Sequence, residues 1–312
     1  MPSEKGTGHS TVSPQNPDRS DRCRGGPITI SAASSAARLA GASPSGPSSP
    51  KPRIVSQGRS AITPNLLILG GTLEATVLSQ RLSDLGLQAV MSLAGRVSQP
   101  KEQALPVRVG GFGGVDGLQG YLGDHSITHV IDATHPFACQ MSRNAVAACS
   151  AANLPLVALT RMPWTQTQDD TWVTVPDITG AVAALDQPAK RVFLAVGRMH
   201  LEAFAPTPQH HYLLRLVDPP TGTLPLPNTT TVIARGPFSF VDDLKLMRDH
   251  NIDLVVSKNS GGSGAVAKIL AARKLGLPVI MIDRPVLPSR RETHSVDGVL
   301  DWLRGHGADL GV

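Results

Sequence analysis

Two glycine-bearing turns are the first places where residue types and spacing could do chemistry. Gly70, Gly71 and Thr72 follow the apolar run 66–69 and open a helical stretch. Glycines there let backbone N–H groups approach an anion, and a helix N-terminus favours negative charge. The strand-turn-helix context is that of a dinucleotide fingerprint, without the third glycine spacing of GxGxxG. A tight βα turn would need the same glycines for backbone reasons alone. Residues 255–262 (VVSKNSGG) repeat the arrangement: a β-branched run, then Lys258, Asn259, Ser260, Gly261 and Gly262 before a helix. The same reasoning makes them a second anion-binding turn.

Ser92 and Arg96 (SLAGR) follow the second apolar run, where a doubly wound domain meets the adenosine ribose. An acid there would suit NAD, whereas Ser and Arg suit the 2′-phosphate of NADP; a solvated loop arginine is the plain alternative. GGFGG (110–114) suits close backbone approach to a ligand, a mobile cover or an ordinary loop. In DATHPF (132–137), His135 precedes Pro136 and is pushed toward extended geometry. An imidazole beside Phe137 at a strand end is well placed for a nicotinamide or a flat substrate, although a lone histidine more often packs or caps than catalyses. Arg198, Arg215 with Asp218, and Arg235 end further apolar runs. Each alone could be a solvated cation; together with Lys258 they point to a polyanionic ligand. His210-His211 lacks HExxH spacing, and no serine sits in a GxSxG elbow. The three cysteines are too scattered for a metal site or a disulfide framework, and Cys139 and Cys149 on one helix read as core thiols.

The elements that must position these residues are short β-branched and Leu runs separated by helical stretches, the pattern of βαβ units around a parallel sheet. After the first run, Ala75, Leu78, Leu82 and Leu85 recur at helical spacing until Gly86. AVMSL, PVRV, HVID and PLVAL complete a first α/β domain over 64–164. RMPWTQTQDDTW reads as a connector. A second domain over 165–312 follows, with strands TWVTV, RVFLAV, YLLRLV, TVIA, LVVS and PVIMI and helices over 177–186, 239–250, 263–275 and 295–304. Two parallel-sheet α/β domains with a cleft between them are expected, because such sheets place ligands at strand C-terminal ends.

Charge and composition narrow the class of function. The chain carries 29 Lys and Arg against 24 Asp and Glu; residues 1–63 hold 8 and 3 of these, which leaves 21 of each sign in the remainder. The basic excess therefore sits in the tail, and a nucleic-acid binder is excluded. That tail is rich in Ser, Pro, Gly and Ala and is expected to be a disordered extension, with a transit peptide as the sharper alternative. No run approaches the roughly 18 apolar residues needed to span a bilayer. A cytoplasmic protein without membrane contact, working as a monomer, is the expectation.

In order along the chain, ILGGTLEA, SLAGR, VGGFGG, DATHPFA with MSRNA, TRMPW, VFLAVGR, LVDPP, GPF, VSKNSGG with AKILAARKLGLPV, and the closing DRP resemble the precorrin-6A reductases of corrin (vitamin B12) biosynthesis. The resemblance covers about residues 65–286, and the order of its blocks is highly specific. It implies two Rossmann-like domains and an NADPH-dependent oxidoreductase acting on a CH–CH group of a polycarboxylate tetrapyrrole, precorrin-6A or its cobalt form. Carried over by motif, Gly70, Gly71 and Thr72 meet the pyrophosphate, and Ser92 and Arg96 the 2′-phosphate. Thr134, His135, Pro136 and Phe137 line the nicotinamide. Arg143, Arg161, Arg198, Arg215 and Lys258, with the amides of Ser260, Gly261 and Gly262, bind substrate carboxylates. His135 and Lys258 are the candidate proton donors, beside solvent or a substrate carboxyl. A rival of another class is a noncatalytic two-lobed carrier of nucleotide or tetrapyrrole, which would bind without turnover.

Overall fold

The apolar runs form parallel strands that need no alternation, because strands of a covered parallel sheet are buried on both faces. In a computed structural model, which describes residues 63–95 and 101–310, the first run is β1 (Asn65–Leu69), and Leu66, Leu67 and Ile68 have no exposed surface. It leads into α1 (Leu73–Asp84), capped by the Thr72 side chain, whose Ala75, Leu78 and Leu82 pack on the sheet. β2 (Gln88–Leu93), β3 (Val107–Val109), α2 (Gly114–Asp124), β4 (His129–Asp132), α3 (Cys139–Ala151) and β5 (Leu156–Leu159) follow.

The chain then builds a second sheet from β6 (Trp172–Val175), β7 (Arg191–Ala195), β8 (His211–Leu216), β9 (Thr229–Ile233), β10 (Leu254–Lys258) and β11 (Val279–Ile282). Its helices are α4 (Ile178–Ala184), α5 (Phe240–Asp249) and α6 (Ala267–Leu275). The last elements are β12 (Arg291–Thr293) and α7 (Val296–Gly305). The strand orders are β12-β5-β4-β1-β2-β3 and β6-β11-β10-β7-β8-β9, with every pairing parallel. The expected pair of parallel α/β sheets is what forms. Among the described residues, no helix is long and apolar enough to cross a membrane.

Two boundaries differ from expectation. The assignment of all of 165–312 to the second domain fails for its last residues: β12 pairs with β5, and Val299, Leu300, Trp302 and Leu303 of α7 complete the core beneath α1. An open apolar face on the first sheet recruits α7, whereas β12 is a charged three-residue edge with no strand pattern of its own. The helix expected from 263 begins at Ala267: the left-handed Gly261 and Gly262 (φ +67° and +68°) turn the chain, and residues 263–266 continue as an irregular turn before the helix. The extension expected over 1–63 lies outside the described residues except for Thr63, and Arg96 lies outside them as well.

Candidate functional site

In each sheet the strand order reverses direction beside one central pair, β1 and β4 in the first and β7 and β10 in the second. Open α/β sheets form a crevice there, outside the strand C-termini. Gly70–Thr72 and residues 132–137 leave the first crevice; residues 197–198 and 258–262 leave the second.

The first turn is half packed and half open. A Cβ on Gly70 would stand 2.1 Å from Met91 Sδ, so a larger residue there would have to displace the Met91 side chain. Gly71 is exposed, has φ +116°, and would carry its Cβ into open space. Thr72 accepts from the Ala75 amide at 3.1 Å and donates to the Ala133 carbonyl at 2.9 Å, tying α1 to β4. The first-turn amides of α1 remain the feature open to an anion. Ser92 is buried and is the register partner of Arg108, whose Nη1 donates to the Ser92 hydroxyl at 2.8 Å. Arg108 also holds the Gly110 and Gly111 carbonyls and lies 3.9 Å from the Phe112 ring centroid, so it staples the GGFGG loop.

Beyond β4, buried Asp132 accepts from the Thr134 amide and hydroxyl and from the Ser142 hydroxyl, and it pairs with Arg290, which lies just before β12. This network fixes the geometry of the next three residues. His135 Nδ1 accepts from the Phe137 amide at 3.2 Å, which leaves the ring proton on Nε2. Burial, and then the charges of Lys258, Arg161, Lys268 and Arg284, push its pKa down to about 3, so the imidazole of the free protein is neutral. Phe137 packs against the core of the second sheet, and Lys258 Nζ lies 5.2 Å from its ring centroid. Pro136 lines a cavity of about 340 Å³ together with Thr160, Arg284, Arg290 and Glu292.

The second turn is closed against the connector between the sheets. Asn259 accepts from the Trp164 amide and donates to the Trp164 carbonyl, while the Trp164 indole donates to the Gly262 carbonyl. Arg284 donates to the carbonyls of Asn259, Arg161 and Ser260, joining the exits of β5, β10 and β11. A Cβ on Gly261 would stand 2.1 Å from the Met162 carbonyl oxygen, and one on Gly262 2.6 Å from Arg161 Cδ. The Ser260 amide donates to the Lys258 carbonyl.

The expected carboxylate-binding cations therefore fall into different settings. Lys258 is buried at the end of β10, beside Phe137. Arg161 pairs with Glu74 at 2.8 Å, and Arg215 pairs with buried Asp243 while stacking 3.5 Å from the Phe238 centroid. Arg143 donates to the Val286 carbonyl, and exposed Arg198 donates to the Thr221 hydroxyl. Sequence reasoning missed four groups: Arg108, Arg284, the Asp132–Arg290 pair and Lys268. Lys268 is buried, donates to the Ala265 carbonyl at 2.8 Å, lies 4.8 Å from the Trp164 centroid, and has its pKa pushed down to about 7 by burial. Arg284 stands in the DRP block and could have been found there; the other three depend on pairings no local pattern carries. The Cys149 thiol is pushed up to about 12 by burial, as suits a core thiol.

Fold and site together define a two-sheet parallel α/β protein with an open glycine turn at the head of α1 on one sheet and a junction rich in cations between the two. The family model described as "Precorrin-6x reductase CbiJ/CobK" matches residues 65–304, and the chain belongs to that family. It is 57% identical over 243 residues to the precorrin-6A reductase of Rhodobacter capsulatus, covering 78% of this chain and 97% of that one. Identity to the precorrin-6A reductase of Rhodococcus erythropolis is 45% over 240 residues, covering 76% and 96% of the two chains. A solved structure described as "CobK precorrin-6A reductase" superposes with a TM-score of 0.78 at 56% identity, over 80% of this chain and 100% of that one.

Proposed function

We propose that this chain is an NADPH-dependent precorrin-6A reductase of cobalamin biosynthesis, acting in the cytoplasm and converting its substrate to precorrin-6B. The observation that carries this reading is 57% identity across 97% of the Rhodobacter capsulatus enzyme. Relatives between 41% and 57% identical are named for precorrin-6A and those at 26% to 28% for the cobalt form, which favours the metal-free macrocycle as substrate. A reductase needs a reductant, and the β1 exit suits a dinucleotide: Gly71 is open on the side a Cβ would fill, and the amides of α1 follow it. Gly70, Gly71 and Thr72 would hold the pyrophosphate, Arg96 the 2′-phosphate with Ser92 supporting that end from beneath, and Thr134, His135, Pro136 and Phe137 the nicotinamide. When bound, NADPH supplies the hydride that goes to a ring carbon of the macrocycle.

The chain's own contribution is positioning and one proton. Arg198 and Lys258 meet substrate carboxylates directly. Arg143, held by the Val286 carbonyl, Arg161 and Arg215, paired with Glu74 and Asp243, and the 260–262 turn, held by the Trp164 indole, shape the surface around them. Lys258 is the better proton donor of the two candidates, because an imidazole with its pKa pushed down to about 3 holds no second proton to give. His135, with Nδ1 occupied, offers its Nε2 proton as a hydrogen bond. Absorbance-monitored oxidation of NADPH with precorrin-6A, repeated with the cobalt form and with NADH, tests the reading. Turnover should be fastest with NADPH and the metal-free macrocycle. Binding of both without oxidation would replace the reductase by a carrier.

A further inference from the structure

Ser92 was expected to touch the 2′-phosphate itself, yet only 6% of it is exposed and its hydroxyl lies under the Arg108 guanidinium. Arg108 is half-buried and held from three sides. Nη1 donates to the Ser92 hydroxyl (2.8 Å) and the Gly110 carbonyl (3.0 Å), Nη2 donates to the Gly111 carbonyl (3.1 Å), and the Phe112 ring lies beneath the plane. A guanidinium has five N–H donors, so Nε and one Nη2 proton remain for a ligand. Arg161, Arg215, Arg273 and Arg290 each have a carboxylate partner, whereas among the described residues Arg108 has none. A rigid fork whose charge no carboxylate offsets is prepared for a phosphate dianion.

Its position agrees. Leu69, the last residue before the Gly70 turn, pairs with Ser92, and Ser92 pairs with Arg108. Two strand spacings, about 10 Å, therefore separate the turn from Arg108. That is the reach from a pyrophosphate across a ribose to its 2′ substituent. We propose that Arg108 is a further side chain, with Arg96, that grips the 2′-phosphate monoester of the dinucleotide and selects it over a bare 2′-hydroxyl, with Ser92 as the positioning residue that orients the guanidinium. This rests on the reading of NADPH as reductant.

Calorimetric titration of the full chain with adenosine 2′,5′-bisphosphate and with AMP isolates the 2′-phosphate, the one group in which these probes differ. The unsubstituted protein should bind the bisphosphate at least about tenfold more tightly, the scale of a charge-assisted hydrogen-bonded pair. Arg108→Met should bring that ratio to about one while AMP affinity stays nearly unchanged; Ser92→Ala should lower it by a smaller factor, about threefold. If Arg108→Met fails to fold, as a thermal melt would show, Arg108→Gln replaces it and is read the same way. A ratio that survives loss of the guanidinium overturns the assignment and leaves the NADPH reading standing. Equal affinity of the unsubstituted protein for both probes overturns the NADPH reading, and this proposal with it.

Discussion

The turns at 70–72 and 258–262 share one signature, an apolar strand followed by a glycine pair and a helix, and they use their glycines for different purposes. At Gly71 the missing Cβ leaves open space beside an exposed backbone, whereas at Gly261 and Gly262 it is replaced by the connector, with the Met162 carbonyl and Arg161 in its place. The first turn leaves the side of Gly71 that a Cβ would fill uncovered by the chain. The second holds the two sheets together, and the pKa of His135 is held down first by burial and then by the cations around this turn. A glycine pair at a strand exit thus marks close approach by something, and the direction of the absent Cβ tells whether that is a ligand or the chain itself.

The contrast can be broken by substitution. Gly261→Ala should be the most damaging change, since it combines a left-handed backbone with a 2.1 Å clash against a carbonyl oxygen. A loss of about 3 kcal/mol, or about 10 °C of Tm, is expected by thermal melt. Asn259→Ala removes two hydrogen bonds to the Trp164 backbone and should cost about 2 kcal/mol in urea unfolding, with AMP binding unaltered. Gly71→Ala should cost only about 1 kcal/mol, from backbone conformation alone, but weaken AMP about tenfold. Equal destabilisation by Gly71→Ala and Gly261→Ala would erase the distinction between the turns.

Acid sharpens it further. The folded protein keeps His135 neutral down to about pH 3, while the unfolded chain protonates it near its ordinary value of 6.5. Its contribution to stability is therefore present above pH 6.5 and is lost as pH falls from there toward 3. Between pH 7 and 5.5 the unsubstituted protein should lose about 1 kcal/mol more than His135→Gln, measured by urea midpoints. His129, also lowered by burial, adds loss of the same sign to both proteins and cancels in the difference. Identical pH slopes would mean that the folded protein does not hold His135 neutral.

The strands were legible because a parallel strand buried on both faces is a continuous apolar run, as LLIL and VIMI are. Glycine turns, terminal arginines and the THPF segment were legible for local reasons too. β12 was not, since the three residues Arg291, Glu292 and Thr293 gain strand geometry only from pairing with β5. The Asp132–Arg290 pair was hidden for the same reason: its partners are 158 residues apart and meet only when the chain returns to the first sheet. Ser92 was found and its contact was not, because a two-residue motif after β2 says nothing of which β3 side chain lies in register with it. Which arginines already carry a carboxylate is likewise a property of the folded chain.

The central claim is that reducing equivalents pass as hydride from a nucleotide on the first sheet to a macrocycle carbon, with a proton delivered beside it. Single turnover of the full chain with NADPH deuterated at the nicotinamide C4 and precorrin-6A, followed by mass spectrometry of the macrocycle, measures this directly. The predicted product is heavier than the substrate by one deuterium and one hydrogen, with the deuterium on carbon and stable to exchange. A macrocycle recovered at its starting mass, or a reduced product without deuterium from either C4 face, would contradict the account.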